Sequence, residues 1–295
     1  MDRELFDREF LRKIEYLSLV ARRIYRGETH GEHSSPIHGT SPDFADYRDY
    51  QPGDDFRYID WNIWSRLDRL LVKLFVEEED LSVHILLDTS RSMEYGNPRK
   101  IDYARRVAAA LGYIGLTSLD RVGVSTFAAG LAGALAPRRG KLQLFHLLEY
   151  MSRITTAGTT DFSRSLENYA MRTRQPGLAI VISDLLDAAD YQRGLLALRY
   201  RKFDVVLVQI LDREEITPAA AGTVRLTDME TGRMMKIPLD RSLLSAYRDR
   251  VGRFLSDLEA FNLKAGIEYL RSSTIIPFED LVLKYLRQGA HLHAR

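Results

Sequence analysis

Two short apolar runs in this sequence each end in an aspartate: Val83-His84-Ile85-Leu86-Leu87 leads into Asp88, and Leu178–Ser183 leads into Asp184. Ser90 and Ser92 follow Asp88 at alternate positions, and Thr155-Thr156-Ala157-Gly158-Thr159-Thr160-Asp161 is a hydroxyl-rich stretch ahead of a helical pattern. Hard divalent cations such as magnesium take oxygen ligands in octahedral array and keep some of their water. Two carboxylates and three hydroxyls meet that demand and leave a coordination position open. An open position on a cation attracts a carboxylate from another molecule, which is a binding mechanism and needs no general base. A purely structural reading of the same residues has Ser90 and Ser92 capping the following turn while Asp88 accepts backbone hydrogens.

Catalytic readings fit less well. A metal-dependent hydrolase of the haloacid-dehalogenase-like phosphatase kind would also start from a strand-ending Asp88, but the acid/base aspartate expected two residues on is Ser90, whose hydroxyl cannot serve at neutral pH. No phosphate-binding GxxxxGK[ST] loop and no GxSxG nucleophile elbow occur. His84 lies inside an apolar strand run and His146 inside an apolar helical pattern, which predicts two packed histidines. His30, His33 and His38 share a polar loop, where solvated side chains are expected rather than a metal site.

The elements that must position these residues alternate. Strands are predicted at Val83–Leu87, Arg121–Phe127, Leu178–Ser183, Val205–Leu211 and Ala265–Tyr269, with helices over about 100–118, 141–153, 162–173, 189–201, 240–262 and 277–287. Val224–Thr227 and Met234–Ile237 read as a hairpin. Alternating strands and helices imply a doubly wound α/β fold, a mostly parallel sheet with helices on both faces. In such a sheet ligands sit beyond the carboxyl ends of the strands, so Asp88 and Asp184 are expected on one rim. Upstream, residues 4–25 carry a helical apolar stripe, residues 26–53 are rich in turn formers, and residues 54–79 read as short extended pieces that include Leu70–Val76. The expected organisation is an N-terminal helical and extended segment over residues 1–79, packed on an α/β domain over residues 80–295.

Composition narrows the class. With 295 residues, 45% hydrophobic and 28% charged, the chain can build a core without disulfides or a structural metal. It has no cysteine, which excludes thiolate zinc sites and cysteine nucleophiles and fits a reducing compartment. A net charge of +1 gives no argument for nucleic acid. No apolar run approaches the ~18 residues of a spanning helix, and Met1-Asp2-Arg3-Glu4-Leu5 lacks the apolar core of a signal peptide. A cytoplasmic location is therefore expected. Arg105-Arg106, Arg138-Arg139 and Glu77-Glu78-Glu79-Asp80 read as solvated charge.

Asp88-x-Ser90-x-Ser92, the Gly-Thr-Thr loop and the strand-end Asp184, in that order, resemble the metal-ion-dependent adhesion site of von Willebrand factor A domains. The resemblance implies Asp88, Ser90 and Ser92 as direct ligands, Thr160 from the second loop and Asp184 acting through water. It implies Mg2+ as the ion, with Mn2+ or Ca2+ as alternatives, and a protein partner that offers a carboxylate. Thr160 is preferred to Thr159 because its six-residue distance to Leu166 matches the family spacing. Some A domains have lost their metal, which leaves a structural role.

Further upstream, the stretch Asp43–Trp61, which contains Asp46-Tyr47-Arg48-Asp49-Tyr50-Gln51-Pro52-Gly53-Asp54-Asp55-Phe56-Arg57-Tyr58-Ile59-Asp60-Trp61, resembles the signature of domain-of-unknown-function family 58. Membership would imply an A-type domain and work beside a MoxR-type AAA+ ATPase in chaperone or complex assembly. Many members carry N-terminal transmembrane helices, which this sequence lacks. Pro52-Gly53 suits a type II turn. Asp54, Asp55, Arg57, Asp60 and Arg66 bracket Phe56, Ile59 and Trp61, as an ion-pair and aromatic plug or as a partner-docking surface.

Overall fold

Alternation sets the architecture. In β3 (Ser82–Asp88), Val83, Ile85 and Leu87 join one buried cluster while Leu86 joins another on the opposite side, the period of two that a strand imposes. The computed structural model describes residues 5–28, 44–75, 81–186, 190–218, 222–229 and 232–292. It divides into two units, one from Met1–Glu28 with Leu81–Arg295 and one from Thr29–Asp80. His30, His33, His38 and the Glu77–Asp80 acids lie outside the described residues.

The smaller unit pairs β1 (Phe44–Asp49) antiparallel with β2 (Leu71–Phe75). Helix α2 (Trp61–Leu67) stands between them, where sequence reading had only extended pieces. Seven residues are too few for helical periodicity to register. Asp60 starts α2 by accepting the amides of Asn62 and Ile63, and it also takes the Tyr47 hydroxyl and the Lys73 ammonium. Those partners, Lys73 first, hold its carboxyl down at about 2. The predicted turn is present: the Asp54 amide donates to the Gln51 carbonyl at 3.0 Å, with Gly53 at φ 110°. Ile59 is buried, whereas Phe56 and Trp61 are exposed.

The larger unit is a doubly wound α/β fold. Helix α1 (Arg8–Glu28) belongs to it, although sequence reading placed that helix in the 1–79 extension. Its stripe of Phe10, Ile14, Leu17 and Ala21 is buried with α3 (Lys100–Thr117) and α9 (Phe278–Leu292), and the Phe10 and Phe278 rings lie 5.2 Å apart. The remaining helices are α4 (Lys141–Arg153), α5 (Phe162–Arg172), α6 (Tyr191–Tyr200), α7 (Arg213–Ile216) and α8 (Arg241–Ala265). The remaining strands are β4 (Arg121–Phe127), β5 (Leu131–Arg138), β6 (Leu178–Ser183), β7 (Asp204–Leu211), the hairpin β8 (Gly222–Thr227) with β9 (Met234–Leu239), and β10 (Glu268–Ser273). The main sheet has the order β10-β7-β6-β3-β4-β5. All its neighbours run parallel except β5, an antiparallel edge. Helices α1, α3 and α9 cover one face, and α5, α6 and α8 the other. No helix among the described residues is long and apolar enough to cross a membrane.

Two side chains depart from expectation. His146 is exposed, because Gln143, Leu147 and Met151 form the buried stripe of α4. Arg105, read as solvated, is buried and donates to the Met151 and Ser152 carbonyls at 2.6 and 2.8 Å, where α4 leaves carbonyls without helical partners.

His84 is packed as expected, with Nδ1 2.8 Å from the Tyr169 hydroxyl and its ring against Phe203. Burial depresses it to about 4. Between pH 6.5 and about 4 the unfolded chain therefore takes up a proton that the folded chain refuses. This contribution to stability is complete above pH 6.5 and falls by about 3 kcal/mol toward the lower value. His84→Phe is expected to flatten the acid limb relative to the parent chain, read from urea unfolding at pH 7 and pH 4.5. Parallel slopes for the two proteins would refute it.

Candidate metal centre

The sheet order reverses around β3, whose neighbours are β4 on one side and β6 on the other. In doubly wound sheets, ligands sit beyond the carboxyl ends of the strands at such a reversal. Asp88 is the last residue of β3 and Asp184 directly follows β6, so the topology delivers both acids to one rim.

Asp88 is fully buried. Its Oδ1 accepts the Ser90 amide at 2.9 Å, and its Oδ2 accepts the Ser183 hydroxyl at 2.6 Å. Ser183 in turn accepts the Leu185 amide at 3.1 Å, which fixes the hydroxyl's direction. The Ser90 and Ser92 hydroxyls lie 2.9 Å apart. Burial, with the nearby Asp184 carboxylate second, pushes the Asp88 carboxyl up to about 7 despite these hydrogen bonds. Among the described residues no basic side chain pairs with Asp88.

The threonine-rich loop is tied to the loop after Asp88 through the backbone. The Ala157 amide donates to the Thr89 carbonyl at 2.9 Å, and the Arg91 amide donates to the Gly158 carbonyl at 3.1 Å. Asp161 closes the loop: its amide reaches the Ala128 carbonyl at 2.9 Å, and its carboxylate caps α5 through Arg164. Thr160 is half-buried and Thr159 exposed. The Thr156 hydroxyl donates to Glu94.

Asp184 has a cation already. The Lys100 ammonium, at the start of α3, donates to Asp184 Oδ2 at 2.6 Å and also to Glu215. The Lys100 side chain has 0% exposure, against 4% for Asp184 and 13% for Glu215. Burial alone would lower the lysine, but the two carboxylates outweigh it and hold the ammonium above its ordinary value. The Leu186 amide at 3.2 Å also binds the Asp184 carboxylate. Glu215 gives its other oxygen to the Asp212 amide at 2.8 Å, within the capping box that starts α7.

Of the expected set Asp88, Ser90, Ser92, Thr160 and Asp184, the structure puts Ser90 and Ser183 on the Asp88 carboxyl and Asp184 near it; Lys100, Glu215 and Ser183 are not among the residues the sequence singles out. Two signals were available. Lys100 falls four residues before Ala104 on the buried stripe of α3, and Asp212-x-x-Glu215 has capping-box spacing. No cluster of three or more His, Cys, Asp or Glu stands ready to hold a metal among the described residues. A cation here would therefore depend on hydroxyls. Asp88, a buried carboxyl group without a basic partner, beside the Ser90 hydroxyl that is itself paired with Ser92, has the oxygen chemistry that suits a hard ion.

The model of the family described as Protein of unknown function DUF58 matches residues 46–253. Uncharacterized proteins of Mycobacterium tuberculosis and Mycobacterium bovis are each 26% identical over 246 residues, which cover 81% of this chain and 77% of the relative. Among solved structures, the conserved hypothetical protein BatB of Bacteroides thetaiotaomicron is similar at TM-score 0.45 and 14% identity, covering 73% of this chain and 100% of that one. The VWA domain of SpRpn10 is similar at TM-score 0.42 and 12% identity, covering 69% and 94%.

Proposed function

The chain belongs to the DUF58 family of proteins of unknown function, and on that premise we propose that it is a non-enzymatic, divalent-metal-dependent protein-binding module. Asp88, Ser90, Ser92 and Thr160 would hold Mg2+ directly, with Asp184 acting through water. When bound, the ion supplies an open coordination position for a carboxylate of the partner protein. A MoxR-type AAA+ ATPase, engaged in chaperone or assembly work, is the associate that the family resemblance suggests.

What carries the reading is the state of Asp88. A carboxylate buried without a basic partner is costly, and this one faces two serine hydroxyls rather than a general acid. The Ser183 hydroxyl and the Ser90 amide orient it as a fixed acceptor. Two backbone hydrogen bonds between Thr89–Arg91 and Ala157–Gly158, which tie the second hydroxyl loop to the loop after Asp88, support the reading.

A second reading has its own observation. Lys100 neutralises Asp184 inside the protein, as a metal-free A domain with a structural role would require. Magnesium titration by calorimetry on the parent chain and on Asp88→Ala separates the two. Under the first reading the parent binds Mg2+ and Asp88→Ala weakens binding more than about 100-fold, beyond the 10–100-fold typical of groups that only orient a ligand. Association with the ATPase would then require the ion. A folded parent chain that binds no divalent cation would leave the structural reading.

A further inference from the structure

Lys100 is no ligand for a cation, yet it is the group that decides what Asp184 can do. Its backbone opens α3, at the end of the helix where the dipole favours anions rather than cations. Its side chain is fully buried. An ammonium persists in such a place only when carboxylates offset its lost hydration, and Asp184 and Glu215 do so together. Glu215 has no oxygen to spare, because the second one holds the Asp212 amide. Asp184 therefore cannot turn toward an incoming ion without leaving Lys100 half-compensated in the interior.

Resting on the metal-binding reading above, we infer that Lys100 sets the cation affinity of the site by holding Asp184 back from the ion, so that Asp88 and the hydroxyls carry the binding. Lys100, Asp184 and Glu215 form a group with one net negative charge whose carboxylates are turned to the ammonium, which leaves Asp88 as the carboxylate that meets the ion. A weaker intrinsic hold on the ion leaves more of its charge for the partner's carboxylate.

Two charge-conserving double variants test this, since each removes the ammonium and one of its carboxylates. Lys100→Met with Glu215→Gln releases Asp184 to the ion. Lys100→Met with Asp184→Asn removes the ammonium together with the carboxylate it would release. Mg2+ titration by calorimetry, on chains whose folding is checked by circular dichroism, is the readout. The first variant is expected to bind Mg2+ about tenfold tighter than the parent, because a freed carboxylate raises affinity at hard-cation sites, and the second, which lacks that carboxylate, no tighter than the parent. A first variant no tighter than the parent, or a second variant that tightens as much as the first, overturns the inference. Should the first variant fail to fold, the second still decides. Binding by the first variant but not by the parent would uphold the role of Lys100 while refuting a resident metal in the parent chain. Absence of binding by the parent and by both folded variants would overturn both.

Discussion

Lys100→Met is expected to lower the unfolding free energy by about 3–5 kcal/mol, the usual result of removing one partner from a buried ion pair. The side chains are close in length, so packing changes little and the loss is electrostatic. What remains are the buried Asp184 and the largely buried Glu215, two carboxylates without their shared cation. Urea unfolding at pH 7 measures the loss. Adding Asp184→Asn or Glu215→Gln is expected to return part of it, because each removes one stranded charge. A single variant within about 1 kcal/mol of the parent would mean that water reaches the site and hydrates the carboxylates, as at exposed pairs.

Gly177→Ala is expected to cost about 3 kcal/mol, at the upper end for overpacking. A Cβ on Gly177 would stand 2.1 Å from the Ser82 carbonyl oxygen, a backbone atom that cannot swing aside. The position matters because β6 enters the sheet here: Leu178 pairs with Val83, and the register then runs to Ile182 beside Leu87. Forcing the strands apart at this end disturbs the pairing that sets Asp88 beside Asp184. Unfolding by denaturant should show the loss, and under the proposed metal-binding reading magnesium affinity should fall in the same variant. Unchanged stability would show that β6 can shift without harm.

How much of this was legible in the sequence follows from how each element is built. The central strands announced themselves because burial on both faces demands continuous Val, Ile and Leu, as in Val205–Leu211. The edge strand β5 escaped notice, since Leu131-Ala132-Gly133-Ala134-Leu135-Ala136 is too small and too weakly patterned to separate from a loop. Phe44–Asp49 escaped for the opposite reason: its Asp, Arg and Tyr residues belong to a small two-stranded sheet and resemble turn chemistry. At the rim, strand-end acids were readable because topology alone sends them there. Lys100 was harder to single out, because a lysine in the first turn of a helix is ordinarily solvated and only the packing of α3 against the sheet draws this one inside.

The packing of α1 on α9 has a consequence for the order of events during synthesis. Phe10 leaves the ribosome long before Phe278, the ring it packs against. At about 5–20 residues per second, the first helix waits on the order of ten to fifty seconds for its final neighbour. Helix α3, which also contacts this stripe, emerges far sooner and offers Phe10, Ile14 and Leu17 an interim shelter. The nascent chain can therefore seat α1 on the α3 layer before α9 emerges to close over both.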